Sequence, residues 1–483
     1  MPTPTLEDPP IDDDLTRLER EVARDLDRLN LPPANWPVPH TGPDGRPMAD
    51  VLVVGAGMAG IALGMALRFK GVHRLRVLDR APPGREGPWV TYARMETLRS
   101  PKHLTGPVPN IPSLTYRAWH EARFGDSGWR DLAKIPRGLW MDYLTWLGRM
   151  AGLEVENGVA VQRVTPEGGH VRIDIQGGDG PAHARHVVLA TGFAGAGGPF
   201  IPDVVSPDLW PGRAAHTMEP IDFAKLTGKR IAVLGAGASA WDNAACALEA
   251  GAAAVDMYVR RHELPQVNKG RGSAYPGFLL GFGALSDAER WATMAYLSDS
   301  QAPPPHETVH RVLRHGGFAS HLGMAMTSAA PDGGGVAMRF TGQSEPRTAD
   351  FLILGTGIAV DLGRQNEIAH LASEIATWSD RYTPPLDLAR PHLGRYPYLA
   401  ADFGFTERTP GARPGLDRVH LFNTGAALSH GAVSGDIPGI ALGAERLALA
   451  LTQRLFAQDL PALRRRLEDW VEPELQGTPY FTL

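Results

Sequence analysis

The chain has 483 residues, 43% hydrophobic and 21% charged, a globular composition too long for one small core that argues for two or three domains. Its 48 Lys and Arg stand against 53 Asp and Glu, net −5, so no basic surplus exists to recruit nucleic acid. The single cysteine, Cys246, excludes an intrachain disulfide, a dithiol redox pair and a cysteine-built zinc cluster.

In chain order, the opening MPTPTLEDPPIDDD is acidic and proline-rich, without the basic-then-apolar order of a signal peptide. Leu15, Leu18, Val22, Leu26 and Leu29 recur at three- and four-residue steps among charges and predict an amphipathic helix over 12–30. Asp12, Asp13 and Asp14 suit its positive end. Pro32, Pro33, Pro37 and Pro39 then hold an extended linker. This arm is expected to pack on the main body or on a partner subunit.

Asp50 followed by Val51-Leu52-Val53-Val54 reads as one buried strand. Gly55, Gly57 and Gly60 come next, spaced Gly-x-Gly-x-x-Gly, and an alanine-rich helix begins. The first glycine permits the tight turn, the second lets backbone approach a pyrophosphate, and the third lets helix pack close to strand. Phosphates would sit at the helix N-terminus, where free N–H groups and the dipole favour anions. Val77-Leu78-Asp79, nineteen residues past Gly60, supplies a second strand ending in an acid able to hold ribose hydroxyls.

A loop-rich stretch follows, with Gly87-Pro88-Trp89 and then 95–104, kept irregular by Pro107, Pro109 and Pro112. Trp119, Phe124, Trp129, Trp140, Tyr143 and Trp146 read as core aromatics, with a helix over 141–150. Residues 155–164 and 170–175 alternate like antiparallel strands. Residues 185–192 form a buried strand that ends at Thr191-Gly192 and returns the chain to the first sheet.

The opening logic repeats 180 residues after Gly55: a strand at 231–234, then Gly235, Gly237 and Ala240 at the three fingerprint positions. The second strand of this unit, 255–259, ends in Arg260 and Arg261. Guanidinium groups suit a 2′-phosphate that a carboxylate would repel, so the second nucleotide reads as NADP rather than NAD. No uncharged apolar run is long enough to span a bilayer, since Asp242, Glu249 and Asp256 interrupt 231–259. A soluble, cytoplasmic protein is expected.

Residues 285–326 read as helical and hold His306, His310, His315 and His321, without carboxylate or cysteine at ligand spacing, so no metal is expected. Residues 350–357 are a third strand-to-small-turn element, and 419–425 a further strand. Ser434-Gly435-Asp436 precede a helix from about Ile437, whose positive end would face the ring end of a bound cofactor. Residues 461–475 read as a last surface helix.

Two fingerprints, an acid after one and arginines after the other, joined through Ala190-Thr191-Gly192 and Gly355-Thr356-Gly357, make residues 48–445 resemble the class B flavoprotein monooxygenases. That superfamily comprises the flavin-containing, Baeyer–Villiger and N-hydroxylating monooxygenases. The resemblance implies an α/β fold of two Rossmann-like domains of the two-dinucleotide-binding, glutathione-reductase-like kind. The NADP domain would be inserted into the FAD domain, with an N-terminal helical arm. The division would be 1–45 for arm and linker, 46–205 for the first part of the FAD domain, 206–349 for the NADP domain with a helical insert, and 350–483 for the remainder.

By the same resemblance Gly55, Gly57, Gly60 and Asp79 belong to the FAD motif, with Arg80, Trp89, Thr191, Gly192, Gly357, Asn423 and Asp436 as further cofactor contacts. Gly235, Gly237, Ser239, Arg260 and Arg261 belong to the NADPH motif. Gly87-Pro88-Trp89 is similar to the family's Gly-Gly-x-Trp element near the flavin. Residues 210–216 resemble its linker signature Phe-x-Gly-x-x-x-His, with Trp210 for the phenylalanine and Pro220 where an aromatic is usual. Ser429-His430-Gly431 is similar to a Thr-His-Gly stretch of the N-hydroxylating branch.

The Baeyer–Villiger branch expects an active-site arginine, for which Arg271, Arg311 and Arg314 are candidates. His216 and Arg271 stand as the catalytic-site residues, His216 as a hinge group rather than a base, and Lys102, His103, Asn268 and Lys269 as polar loop candidates. The implied activity is an FAD-dependent, NADPH-consuming monooxygenase inserting one atom of dioxygen into a small organic substrate through a C4a-(hydro)peroxyflavin. Its rivals are an NAD(P)H–flavin oxidoreductase or oxidase without oxygen insertion, and a non-catalytic nucleotide-binding interaction protein. The expected partners are substrate and dioxygen, not nucleic acid or membrane, with homo-oligomerisation as the other use of the N-terminal arm.

Overall fold

A computed structural model describes residues 11–108, 110–178 and 180–481; residues 1–10, read above as acidic and proline-rich, and Pro109 lie outside them. Strand Ala49–Val54 is buried along its whole length, which suits only a central, parallel position. It lies between Leu75–Asp79 and Ala182–Leu189, parallel to both. Val155–Asn157 and Val419–Leu421 extend the parallel set on its two sides. Val161–Pro166 and Val171–Ile175 join Ala182–Leu189 as an antiparallel meander. Antiparallel pairing was expected over all of 155–164, but Val155–Asn157 runs parallel to its neighbour. The turn at Gly158, with φ +71°, breaks the run there.

A second sheet is wholly parallel, in the order Phe318–Leu322, Ala254–Val259, Arg230–Leu234, Phe351–Leu354, Ala214–His216. All five strands fall in sequence between Leu189 and Val419 of the first sheet. The chain passes between the sheets twice, and the two passages, Gly197–Pro199 and Ile358–Val360, pair antiparallel. Helix Ala238–Glu249 buries Trp241, Ala244 and Leu248 against one face of the second sheet. Val336, Met338 and Phe340 of a three-stranded antiparallel sheet cover the other, against Ala232, Tyr258 and Leu352.

Residues 285–326 are not one helical stretch. Helices Asp287–Ser300 and His306–Leu313 are separated at Pro303, Pro304 and Pro305, and 318–322 is an edge strand. Three successive residues without a backbone N–H cannot continue a helix. Helix Ile11–Arg28 lies on the first unit: Leu18 and Val22 enter its core, and Glu19 accepts from Trp146 Nε1 at 3.2 Å and pairs with Arg149 at 2.5 Å. Trp119, Trp129, Trp140, Tyr143 and Trp146 are buried, as their density implied, but Phe124 is exposed.

The last helix is single and continuous, Ile440–Glu468, running through Pro461; the separate helix expected over 461–475 does not form. Its Asp459 is buried and accepts from Arg185, which also pairs with Asp50, and from the backbone of Val38. One guanidinium thus ties the linker, two central strands and the final helix together. No helix among the described residues is long and apolar enough to cross a membrane.

Candidate functional site

Each central strand ends in a glycine turn of the same geometry. Gly55 and Gly235 both adopt φ +104°, left of what a side chain tolerates. A Cβ on Gly55 would stand 2.5 Å from the Ala190 carbonyl, and one on Gly235 2.4 Å from the Gly355 carbonyl. Gly57 and Gly237 are the N-caps of helices Met58–Arg68 and Ala238–Glu249, neither end capped by a side chain. A Cβ on Gly57 would meet nothing nearer than Gly87 Cα at 3.7 Å, and one on Gly237 would meet nothing. Both turns therefore open onto space beside free N–H groups, a cradle that fits a pyrophosphate.

The residues after the second strands differ sharply. Asp79 is buried, its carboxylate accepting from Ala56 N–H and Ala81 N–H, each at 2.7 Å. The acid read as a ribose acceptor thus also clamps the glycine turn to its own strand. Arg80 is exposed. In the second unit Arg260 is exposed, Arg261 is half-buried and donates to the Asp299 carbonyl at 3.0 Å, and Ser239 is exposed beside Gly237.

The other predicted groups gather where the two passages leave the sheets. Asn423 is buried and donates to Thr191 Oγ1 at 3.0 Å and to the Gly195 carbonyl at 3.1 Å. Gly192 takes φ +63° and Gly357 φ +83°. Trp89 is buried against Trp140, its indole N–H without a partner. Thr424 Oγ1 is likewise buried and unpaired. Asp436 is exposed, yet desolvation raises its carboxyl pKa. The helix beyond it begins at Ile440 rather than Ile437, because Pro438 and the Gly439 N-cap delay it, so its positive end stands a turn away from Asp436.

His216 ends the edge strand of the second sheet, paired in register with Leu354. It is fully buried, and its Nδ1 accepts from Met218 N–H at 3.2 Å. Burial lowers its pKa, with the Glu219 carboxylate and the Gly357 carbonyl opposing. A neutral ring held beside Gly357 suits a hinge position. Arg271 is exposed on the short helix Lys269–Gly272, which Asn268 caps through its side chain at 2.9 Å. Lys269 is exposed as well.

Four further residues singled out in the sequence make structural contacts. Arg311 is held bidentate by Glu249 at 2.5 Å and donates to the Arg94 carbonyl at 3.2 Å, so it struts the second unit against the first. Lys102 donates to the carbonyls of Trp129 and Leu132 at 2.6 and 2.5 Å, closing the end of helix Tyr116–Asp131. Ser429 and His430 are buried, Ser429 accepting from Trp378 Nε1 and His430 stacking on Phe403 at 3.8 Å. His103 lies edge-on to Trp129, and Arg314 is exposed. The sequence reading missed the junction in which Arg99 pairs with buried Asp242, which also accepts from Thr308 at 3.0 Å. Burial raises the Asp242 carboxyl despite that arginine; only tertiary contact joins these positions.

Residues 52–271 match the family model for pyridine nucleotide-disulphide oxidoreductases. Over 465 residues, 96% of this chain and 98% of the relative, the sequence is 41% identical to an FAD-dependent urate hydroxylase of Xanthomonas campestris. Among solved structures, the ornithine hydroxylase of Pseudomonas aeruginosa matches with a TM-score of 0.65 at 19% identity, over 84% of this chain and all of that one. The L-lysine 6-monooxygenase of Pseudomonas syringae matches with a TM-score of 0.64 at 20% identity, over 84% of this chain and 99% of that one.

Proposed function

This chain belongs to the class B flavoprotein monooxygenases, and from that premise we propose that it is an FAD-dependent, NADPH-consuming monooxygenase that hydroxylates urate or a closely related oxidised purine. The observation that carries the reading is the pair of open glycine turns at matched geometry, one beside a buried acid and one beside exposed Arg260 and half-buried Arg261. The substrate class rests on the full-length likeness to a urate hydroxylase. Bound flavin supplies the reaction with dioxygen once reduced by nicotinamide; the protein supplies position, shelter and charge.

In this reading 46–205 with 350–483 holds FAD, and the inserted 206–349 holds NADPH. Gly55, Gly57 and Gly60 bring the amides of helix Met58–Arg68 to the FAD pyrophosphate. Asp79 keeps the turn in place and offers its remaining lone pairs to the ribose. Gly235, Gly237 and Ser239 cradle the second pyrophosphate, and Arg260 and Arg261 hold the 2′-phosphate. The unpaired Trp89 N–H and Thr424 hydroxyl, with Thr191, Asn423 and Asp436, surround the ring end. His216, neutral and locked beside Gly357, holds the angle between the units without moving a proton. The exposed cations Lys269 and Arg271 suit an anionic, carbonyl-rich purine. A thiol–disulfide route is closed because Cys246 stands alone, half-buried against Arg311.

Anaerobic mixing with NADPH should bleach the flavin absorbance; an unbleached protein would favour the nucleotide-binding rival. Mass spectrometry of urate turned over under isotopically labelled dioxygen should then show one labelled atom gained. Return of all the oxygen as hydrogen peroxide, with urate untouched, would make it an oxidase.

A further inference from the structure

A second site lies at the opposite ends of the same strands. The glycine turn follows Val54, whereas Ala49, at the start of that strand, is level with Ala184 of its neighbour. Ala184 in turn pairs with Val171, and His183 with Arg172. The register therefore sets His183 beside the turn that joins Val161–Pro166 to Val171–Ile175, and that turn carries Glu167 and His170. These groups stand roughly 17 Å along the strand from the glycine turn.

Glu167, His170 and His183 each offer a ligand atom, all within 4.8 Å of one another. The two imidazole rings lie 5.1 Å apart at 55°. His170 Nε2 and His183 Nδ1 are both shut off from water and both lack a hydrogen-bond partner. Glu167 Oε2 comes within 3.0 Å of His170 Nε2, but not along a hydrogen-bonding direction. One buried, unpaired nitrogen costs about 1–3 kcal/mol, and two facing the same carboxylate leave a shared vacancy in the bonding that some group must fill. A cation that takes a lone pair from each ring and the charge of the carboxylate fills it.

We propose that Glu167, His170 and His183 bind a divalent transition-metal ion of the zinc class, with a fourth position left to water. Two imidazoles disfavour magnesium and calcium, which take oxygen ligands. Tetrahedral bonds of about 2.0–2.1 Å place ligand atoms about 3.3 Å apart, so binding draws these together by at most about 1.5 Å from their 4.8 Å spread. The exposed Glu167 side chain can supply most of that movement.

The backbone beneath is already held. Glu167 N–H donates to the His170 carbonyl at 2.9 Å, Gly168 N–H to the Pro414 carbonyl at 3.2 Å, and Arg418 Nε to the Gly168 carbonyl at 2.8 Å. The ion would pin the hairpin turn to a central strand, close to the linker, since a Cβ on Gly42 would stand 3.4 Å from His183 Cβ. Its role is structural, because it lies a strand's length from the nucleotide turns. These are not the histidines weighed for metal in the sequence, His306, His310, His315 and His321. Glu167 and His170 are three apart and His183 thirteen further on, and only strand register makes them neighbours.

The test is calorimetric titration of the chelator-stripped, full-length holoenzyme with zinc chloride. Exposed His306 and His310, with Nε2 atoms 3.3 Å apart, are a competing pair, so the titration uses His306→Ala/His310→Ala as background. We expect one equivalent bound in that background, at least tenfold weaker after His183→Ala and after His170→Ala. Zinc should also raise the melting temperature of the background protein but not of its His183→Ala derivative. Absence of stoichiometric binding in the background, or binding indifferent to His183→Ala in a protein of unchanged circular dichroism, overturns the proposal.

Discussion

In the first nucleotide unit the helix meets the turn through Gly60, where a Cβ would stand 1.9 Å from the Gly55 carbonyl oxygen. In the second unit Ala240 keeps its methyl at the matching position, and the opposing residue gives way instead. A Cβ on Gly355 would stand 2.4 Å from that methyl, whereas its counterpart in the first unit is Ala190. The two units share φ +104° at both first glycines, but the first leaves room for the Gly55 carbonyl at Gly60 and the second leaves room for the Ala240 methyl at Gly355. They differ again in chemistry, an acid buried under one turn and two arginines, one exposed and one half-buried, at the other. Close packing of helix on turn demands a missing side chain in each unit, and the position that gives it up differs.

The largest effect should come from breaking that division. Gly60→Ala meets backbone that cannot move alone and should cost about 3 kcal/mol or more, or prevent flavin retention, read by thermal unfolding and bound-flavin absorbance. Gly355→Ala should be damaging by itself and only partly relieved by Ala240→Gly, because the Cα at 240 would still stand 2.9 Å from the added methyl. Absence of any relief would mean that Gly355 is needed for another reason.

Acid should separate the units next. The first contains His420, its pKa lowered by burial to about 4, and His430, lowered to about 3, with His186 buried and lowered too. The second unit has one buried histidine with a lowered pKa described above, His216, while its His306 and His310 are exposed. The unfolded chain takes up protons near the ordinary 6.5, while the folded first unit does not until far lower. Its stability is therefore complete above that value and falls as pH drops toward 4, by up to about 1.4 kcal/mol per unit per histidine. Flavin release on acidification should accordingly begin below pH 6.5, and His430→Phe should flatten the dependence.

Arg260→Ala should raise the KM for NADPH roughly tenfold and leave NADH nearly unchanged; equal effects would remove the 2′-phosphate assignment. Smallest of all, Gly237→Ala places a methyl in open space at φ −67°. It should change stability by no more than about 0.5 kcal/mol, while any loss of NADPH affinity would report phosphates at that turn.

Much of the fold was legible because it is local. Strand, glycine spacing and helix adjoin in sequence, so Val51–Gly60 and Ile231–Ala240 announced both units, and the arm showed in the period of Leu15, Leu18 and Val22. Reading 285–326 as helical passes over the proline run at 303–305, and with it the break that leads to the edge strand Phe318–Leu322. The candidate site was legible only at the nucleotide turns. That Arg311 is occupied by Glu249, that Lys102 closes a helix and that His430 stacks under Phe403 are contacts between distant positions, and no period or spacing records them.

What the sequence alone determined is the pair of dinucleotide turns and the sign of charge beside each, since a positive φ and a strand-end residue are properties of neighbours along the chain. Tertiary structure decided the rest: which side of each turn gives up its methyl, how Arg185 joins the first strand to the last helix, and which histidines meet a carboxylate. Those outcomes depend on strand register and on burial, which raises the cost of every unpaired charge, and both exist only once distant segments have closed on one another.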